Sequence, residues 1–145
     1  MRRLVLSAAA LLAVASAFAL GRASASVAEH GSVIEHDSLV VAKQPGPHRG
    51  TGETTAYSFY GKVPDLPYVF RKRALHRGAS IGYHAHLDHG DETYYVLSGQ
   101  GEFTLDGVKR VVGPGTAMLT RKGSSHGIKQ LGDADLVLII AYPRH

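Results

Sequence analysis

The stretch "SIGYHAHLDHGDETYYVLSGQGEF", Ser80 to Phe103, carries His84, His86 and His89 close to Asp91 and Glu92. Its reading decides whether these side chains build a site or decorate a loop. Side chains alternate along a strand, so His84 and His86 in "YHAH" point to the same face. Ile81 and Tyr83 are grouped with them, leaving Gly82 and Ala85 on the other face. Two neutral imidazoles converging on a partly buried face need a partner, and a metal is the usual one; a solvated strand face is the alternative. Glu92 opens the next run and shares a face with Tyr94 and Val96. The apolar Val96 turns that face inward and takes the Glu92 carboxylate with it. A buried carboxylate without a cation or donor is costly.

The surrounding chain has the same short-strand texture. "SLVVA" (Ser38 to Ala42) reads as an edge strand, and "KQPGPHRGTGETT" (Lys43 to Thr55) as a Gly- and Pro-rich loop. Strand-like runs then follow at close intervals: "TAYSFYG", "PYVFRKRAL", "SIGYHAH", "ETYYVLSG", "GEFTLDG", "VKRVV", "TAMLTR", "HGIKQL" and "DLVLIIAY". Turn signals such as Pro64-Asp65, Gly113-Pro114-Gly115 and Gly132-Asp133 separate them. Asp106-Gly107 between two such runs is the strongest hairpin signal in the chain. No later segment shows a helical stripe over three turns. The fold class is therefore all-β, a sandwich or barrel.

Far along the chain, "RKGSSHGIKQ" places His126 just after a turn, at the start of another strand. Taken with "HAH" and Glu92, this pattern resembles the two motifs of the cupins. Gly78, His84, His86, Glu92 and Gly99 fit the first motif, with five residues (Leu87 to Asp91) before the Glu where three or four are usual. Gly123 and His126 fit the second with its spacing, with Arg121 in place of the common proline and Gln130 in place of the common asparagine. The likeness runs from about Ala56 to Tyr142.

The resemblance implies a small jelly-roll β-barrel in which His84, His86, Glu92 and His126 bind one divalent metal ion. Mn, Fe, Co, Ni and Zn all suit three imidazoles and a carboxylate, and ligand type does not choose among them. Such a set leaves up to two positions of an octahedral ion open for substrate or water. His89 is expected to be a solvated loop residue, with a role as fifth or substitute ligand as the alternative.

Three further residues are candidates for catalysis. Arg71 and Arg73 share one strand face with Val69 and Leu75. If that face lines the barrel, two guanidinium groups point at the metal cavity and suit a carboxylate or phosphate. Parity does not decide, and a solvated outer face is the expectation. Tyr94 should look inward, as a wall of the pocket or as a proton donor.

The chain opens MRRLVLSAAALLAVASAFALGRASAS, with basic residues, an apolar run from Leu4 to Leu20, and then Ala23-Ser24-Ala25. That order is the layout of a secretory signal peptide, with cleavage expected after Ala25 and an uncleaved anchor as the alternative. Arg2-Arg3 also raises the possibility of twin-arginine export. The expected divisions are residues 1–25 as signal peptide, 26–55 as N-terminal strand and loop, and 56–145 as cupin domain. Of the formal charge of +4, Arg2, Arg3 and Arg22 belong to the leader, which leaves a nearly neutral remainder. No clustered basic face argues for nucleic acid. With no cysteine, the fold has no disulfide framework.

The expected product is an exported protein, periplasmic or secreted, with no stable membrane insertion after cleavage. It is expected to form homodimers through uncovered sheet edges. Family members include decarboxylases, dioxygenases, lyases and isomerases, so the resemblance implies a metal-dependent enzyme on a small acidic or polyhydroxy substrate. A non-catalytic exported module that binds a small ligand is the alternative of a different class.

Overall fold

The computed structural model describes residues 31–88 and 90–144. The leader expected at residues 1–25 and the loop residue His89 lie outside the described residues. Among the described residues, ten strands form two antiparallel sheets: β1 (Val41–Pro45), β2 (Glu53–Tyr57), β3 (Tyr68–Leu75), β4 (Ser80–Ala85), β5 (Glu92–Ser98), β6 (Gln100–Leu105), β7 (Val108–Val112), β8 (Ala117–Thr120), β9 (Ser125–Leu131) and β10 (Leu136–Pro143). One sheet has the order β1-β2-β3-β10-β5-β8, and the other β4-β9-β6-β7. This is the jelly roll that the resemblance implies. Among the described residues, helix is confined to single 3-10 turns at Asp37–Leu39 and Phe59–Lys62.

The strand-like runs of the sequence become strands with small shifts. The edge strand β1 begins at Val41, because a 3-10 turn occupies Asp37–Leu39, and it extends through Pro45 into the expected loop. "TAYSFYG" is a strand only to Tyr57, after which the chain turns through Phe59–Lys62. Asp106 and Gly107 both have positive φ (46° and 81°) and join Leu105 to its cross-strand partner Val108. That is the backbone a two-residue hairpin turn requires, and Gly adopts it at no steric cost.

The core lies between the sheets. Leu75, Ile81, Val96, Phe103, Leu138 and Ile140 are all buried there. Alternation holds along β5, where Glu92, Tyr94 and Val96 are buried and Thr93 and Tyr95 are exposed. β4 departs from it. Tyr83, one residue before His84, is 55% exposed as alternation requires, so its grouping with the histidines is corrected, whereas Ile81 is buried as expected. Strict alternation would also separate Ile81 from His84. A register shift against β9 between Ile81 and His84 restores both to the inner face, as a bulge does by inserting one unpaired residue.

Candidate metal centre

Four elements deliver the site. His84 lies on β4 directly opposite His126 on β9. His86 follows the end of β4 and is fixed by two backbone hydrogen bonds: its N–H donates to the Ser124 carbonyl (2.9 Å) and its carbonyl accepts from Gly123 N–H (2.8 Å). Glu92 is the first residue of β5, opposite Thr120 on β8. The ligand atoms of these four residues lie within 4.8 Å of one another, and His86, Glu92 and His126 are buried.

Three of the donor atoms form a nearly equilateral triangle. His86 Nε2 is 3.1 Å from His126 Nε2. Glu92 Oε2 is 3.1 Å from His86 Nε2 and 3.0 Å from His126 Nε2. Neighbouring donors on a six-coordinate ion with bonds of about 2.1 Å stand about 3.0 Å apart, so the triangle has the size of one octahedral face.

Proton placement strengthens this reading. Nδ1 of His84 faces the Gly82 carbonyl at 2.9 Å and Nδ1 of His86 faces the Gly90 carbonyl at 3.3 Å. A carbonyl only accepts, so these Nδ1 atoms carry the protons and each Nε2 is left as a bare lone pair. His126 Nδ1 meets the Thr120 hydroxyl at 2.6 Å. Imidazole nitrogens and a carboxylate thus converge in the arrangement that a metal ion takes. Desolvation lowers the pKa of His84 to about 4, which keeps it neutral and able to ligate at physiological pH.

A cavity of about 200 Å³ opens beside this triangle, lined by His48, Arg71, His84, His86, Glu92 and Tyr142. It is smaller than pockets for drug-sized ligands and has room for about six or seven waters. Arg71 Nη2 donates to the Tyr142 hydroxyl at 3.2 Å, and Arg71 Nε is buried without a partner. Burial raises the Tyr142 phenol above its ordinary range, so the hydroxyl stays protonated. A larger apolar groove of about 490 Å³ runs between β7 and β8, past Val108, Val112 and Met118. It lacks converging ligands, so the smaller cavity is the candidate site.

The expected outer face for Arg71 and Arg73 is corrected: β3 turns both inward with Val69 and Leu75. They separate in role. Arg71 reaches the cavity, whereas Arg73 is 1% exposed and donates to Thr54 Oγ1 (2.6 Å) and Gln44 Oε1 (3.0 Å). Desolvation lowers Arg73 to about 10, which leaves it charged at neutral pH. Tyr94 is buried behind the ligands, its ring 4.9 Å from that of His126. Burial, and then the Glu92 charge, push its phenol well above the ordinary range. Tyr94 looks inward as expected but does not line the cavity.

Sequence reasoning missed His48 and Tyr142. Tyr142 was within reach of parity, since Leu138 and Ile140 on the same strand face inward. His48 sits in the loop between β1 and β2, where no periodicity marks it.

Two of the three departures from the motif pattern meet in space. Arg121, in place of the common proline, pairs with Asp91 of the lengthened loop (Nη1 to Oδ2, 2.6 Å), and Asp91 Oδ1 accepts from Lys122 N–H at 3.0 Å. Gln130, in place of the common asparagine, is 3% exposed; it accepts from Gly78 N–H (2.8 Å) and donates to the Ala134 carbonyl (2.7 Å).

Comparison with known proteins agrees with this geometry. Residues 73–142 match the family described as the cupin domain. An oxalate-binding protein of Thermotoga maritima is 36% identical over 69 residues, which is 47% of this chain and 55% of that protein. The chain thus spans little more than half the length of that relative. The crystal structure of a predicted oxalate decarboxylase of Thermotoga maritima superposes with a TM-score of 0.70 at 24% identity, covering 77% of this chain and 99% of that one. KdgF from a Halomonas species gives a TM-score of 0.54 at 28% identity over 63% of this chain and 80% of its own.

Proposed function

We propose that this chain, which belongs to the cupins as a small single-domain member, is a metal-dependent protein that takes up a small dicarboxylate such as oxalate. The observation that carries the proposal is Arg71, whose unpartnered guanidinium nitrogen is buried beside the cavity next to the four-residue cluster. His84, His86, Glu92 and His126 would hold one divalent ion of the Mn, Fe, Co, Ni or Zn type. When bound, such an ion supplies Lewis-acid attraction for a carboxylate oxygen. With Glu92 ionised and Arg71 charged, a divalent ion leaves the cavity two net positive charges, the complement of a dianion. Arg71 pairs with a carboxylate through its fork of donors, and Tyr142 holds that fork in place. The oxalate-binding relative is consistent with a ligand of this size and charge.

Enzymatic turnover is the second reading, favoured by the protonated Tyr142 hydroxyl at the cavity wall. In a decarboxylation of hydrogen oxalate, the C–C bond breaks, carbon dioxide leaves, and the carbon accepts a proton to give formate. Tyr142 would relay that proton, taking up the carboxyl O–H proton of hydrogen oxalate in exchange, so that the phenol is regenerated.

Calorimetric titration of metal-loaded protein with oxalate tests the first reading, and formate analysis of the same mixture tests the second. Metal-dependent binding, weakened at least about tenfold by Arg71→Ala with metal content unchanged, is the expected result. No binding, or binding indifferent to Arg71→Ala, would overturn it. Absence of formate beside metal-dependent binding would leave the chain a binding module.

We further propose that the protein is exported and assembles as a homodimer. The leader-like residues 1–25 motivate the first, and the exposed apolar side chains of the six-stranded sheet the second. Among the described residues, no helix is long and apolar enough to cross a membrane.

A further inference from the structure

The loop between β1 and β2 belongs by chain order to the six-stranded sheet, yet it docks on β4, the edge of the other sheet. The Pro47 carbonyl accepts from Gly82 N–H at 2.9 Å, and the Thr51 carbonyl accepts from Ser80 N–H at 3.0 Å. Thr51 N–H donates to Ser80 Oγ at 2.8 Å. The approach is so close that a Cβ on Gly82 would collide with the His48 carbonyl oxygen. At the apex, His48 and Arg49 both have positive φ (52° and 61°), a conformation that side-chain-bearing residues seldom adopt. Such outliers persist only where the surroundings impose them, and they concentrate at ligand clamps and functional sites.

This strained apex lays one side chain on the site. The His48 ring stacks on His84 with centroids 3.6 Å apart and planes within 3° of parallel. A histidine donates its lone pair in the plane of its ring. A ring stacked parallel to that of His84 therefore flanks the direction in which His84 Nε2 points. His48 lines the cavity together with Arg71 and Tyr142, while the residue as a whole remains exposed. It thus stands at the mouth, between the ligating cluster and solvent. Among the described residues, its ring makes no hydrogen bond.

We propose that His48 is a specificity-determining residue: its imidazole roofs the mouth of the cavity and limits the ligand to a two-carbon dicarboxylate. The inference rests on the proposed function and names the feature that sets ligand length. Arg71 and the cluster fix the inner end of the ligand, and the His48 ring closes the space a longer chain would occupy. The hydrogen bonds to β4 hold the ring there before a ligand arrives, so little ordering is required on binding.

The test measures binding of oxalate, malonate and succinate to Mn(II)-loaded protein by calorimetry, in wild type, His48→Ala and His48→Gly. Glycine accepts positive φ without strain, so the second variant removes the ring without burdening the loop. Metal content and circular dichroism establish that each variant is folded and loaded. The expected wild-type order is oxalate tightest and succinate weakest. Both variants should move the oxalate-to-succinate affinity ratio toward the longer acid by at least about tenfold. Binding by all three proteins with an unchanged ratio overturns the role of His48 and leaves the proposed function standing. No carboxylate binding by loaded wild type overturns both.

Discussion

Thr120 Oγ1 lies 2.6 Å from Nδ1 of His126, with both residues fully buried, and Thr120 is also the cross-strand partner of Glu92. One threonine therefore orients one candidate ligand and pairs across the sheet with another. Partners that fix the ring orientation of a ligating histidine typically contribute 10- to 100-fold to metal affinity. Thr120→Val keeps the shape and removes the hydroxyl. It should weaken metal binding by about tenfold or more, and Thr120→Ser should restore it. Competition with a chromogenic chelator measures both.

Gln130 supports the fold at a distance from the cavity. Its buried amide joins the Gly78 turn to the turn that carries Ala134. Gln130→Ala leaves buried backbone groups unpaired and should cost roughly 2–3 kcal/mol in urea denaturation. Metal stoichiometry should not change. A loss of metal without a loss of stability would place Gln130 in the site instead.

How much of this could be read from the sequence depends on which physical signal carried each residue. The hairpin at Asp106-Gly107 and the inward face of Glu92, Tyr94 and Val96 are local, governed by turn chemistry and period-two alternation, and both are legible. Parity on β3 was not decisive. Both faces mix charged and apolar residues, and only Thr54 and Gln44 from neighbouring strands explain why Arg73 turns inward. Tyr83 precedes His84 by one residue, so period-two alternation itself puts it on the face opposite the histidines, whereas Ile81 joins them only through a bulge on β4 that has no sequence mark of its own. His48 was invisible for a related reason. Its position comes from backbone contacts between a loop and a strand distant in the chain, Pro47 with Gly82 and Thr51 with Ser80, which no local pattern records.

The association prediction rests on exposed apolar surface. Phe70, Tyr95, Leu97 and Leu119 are each more than 40% exposed on the six-stranded sheet, and among the described residues β1 is an edge strand. A second copy of the chain covering this face would bury it. Light scattering should report a dimer at high micromolar concentration. A monomer at all concentrations would contradict the prediction.

The leader prediction concerns processing. N-terminal sequencing of protein recovered from the extracytoplasmic fraction should read from Ser26, because Ala23-Ser24-Ala25 follows the apolar run. Intact Met1 in that fraction would contradict it.

The central claim is that His84, His86, Glu92 and His126 hold one ion, and metal content of the purified protein tests it most directly. Wild type should carry about one divalent ion per chain, and bound metal should raise the melting temperature, since it stabilises only the folded state. Alanine at any of the four positions should lower metal content and remove that stabilisation together, whereas His89→Ala should leave both nearly unchanged. If His89→Ala empties the site while Glu92→Ala leaves it filled, the lengthened loop has supplied the ligand and the four-residue assignment is wrong.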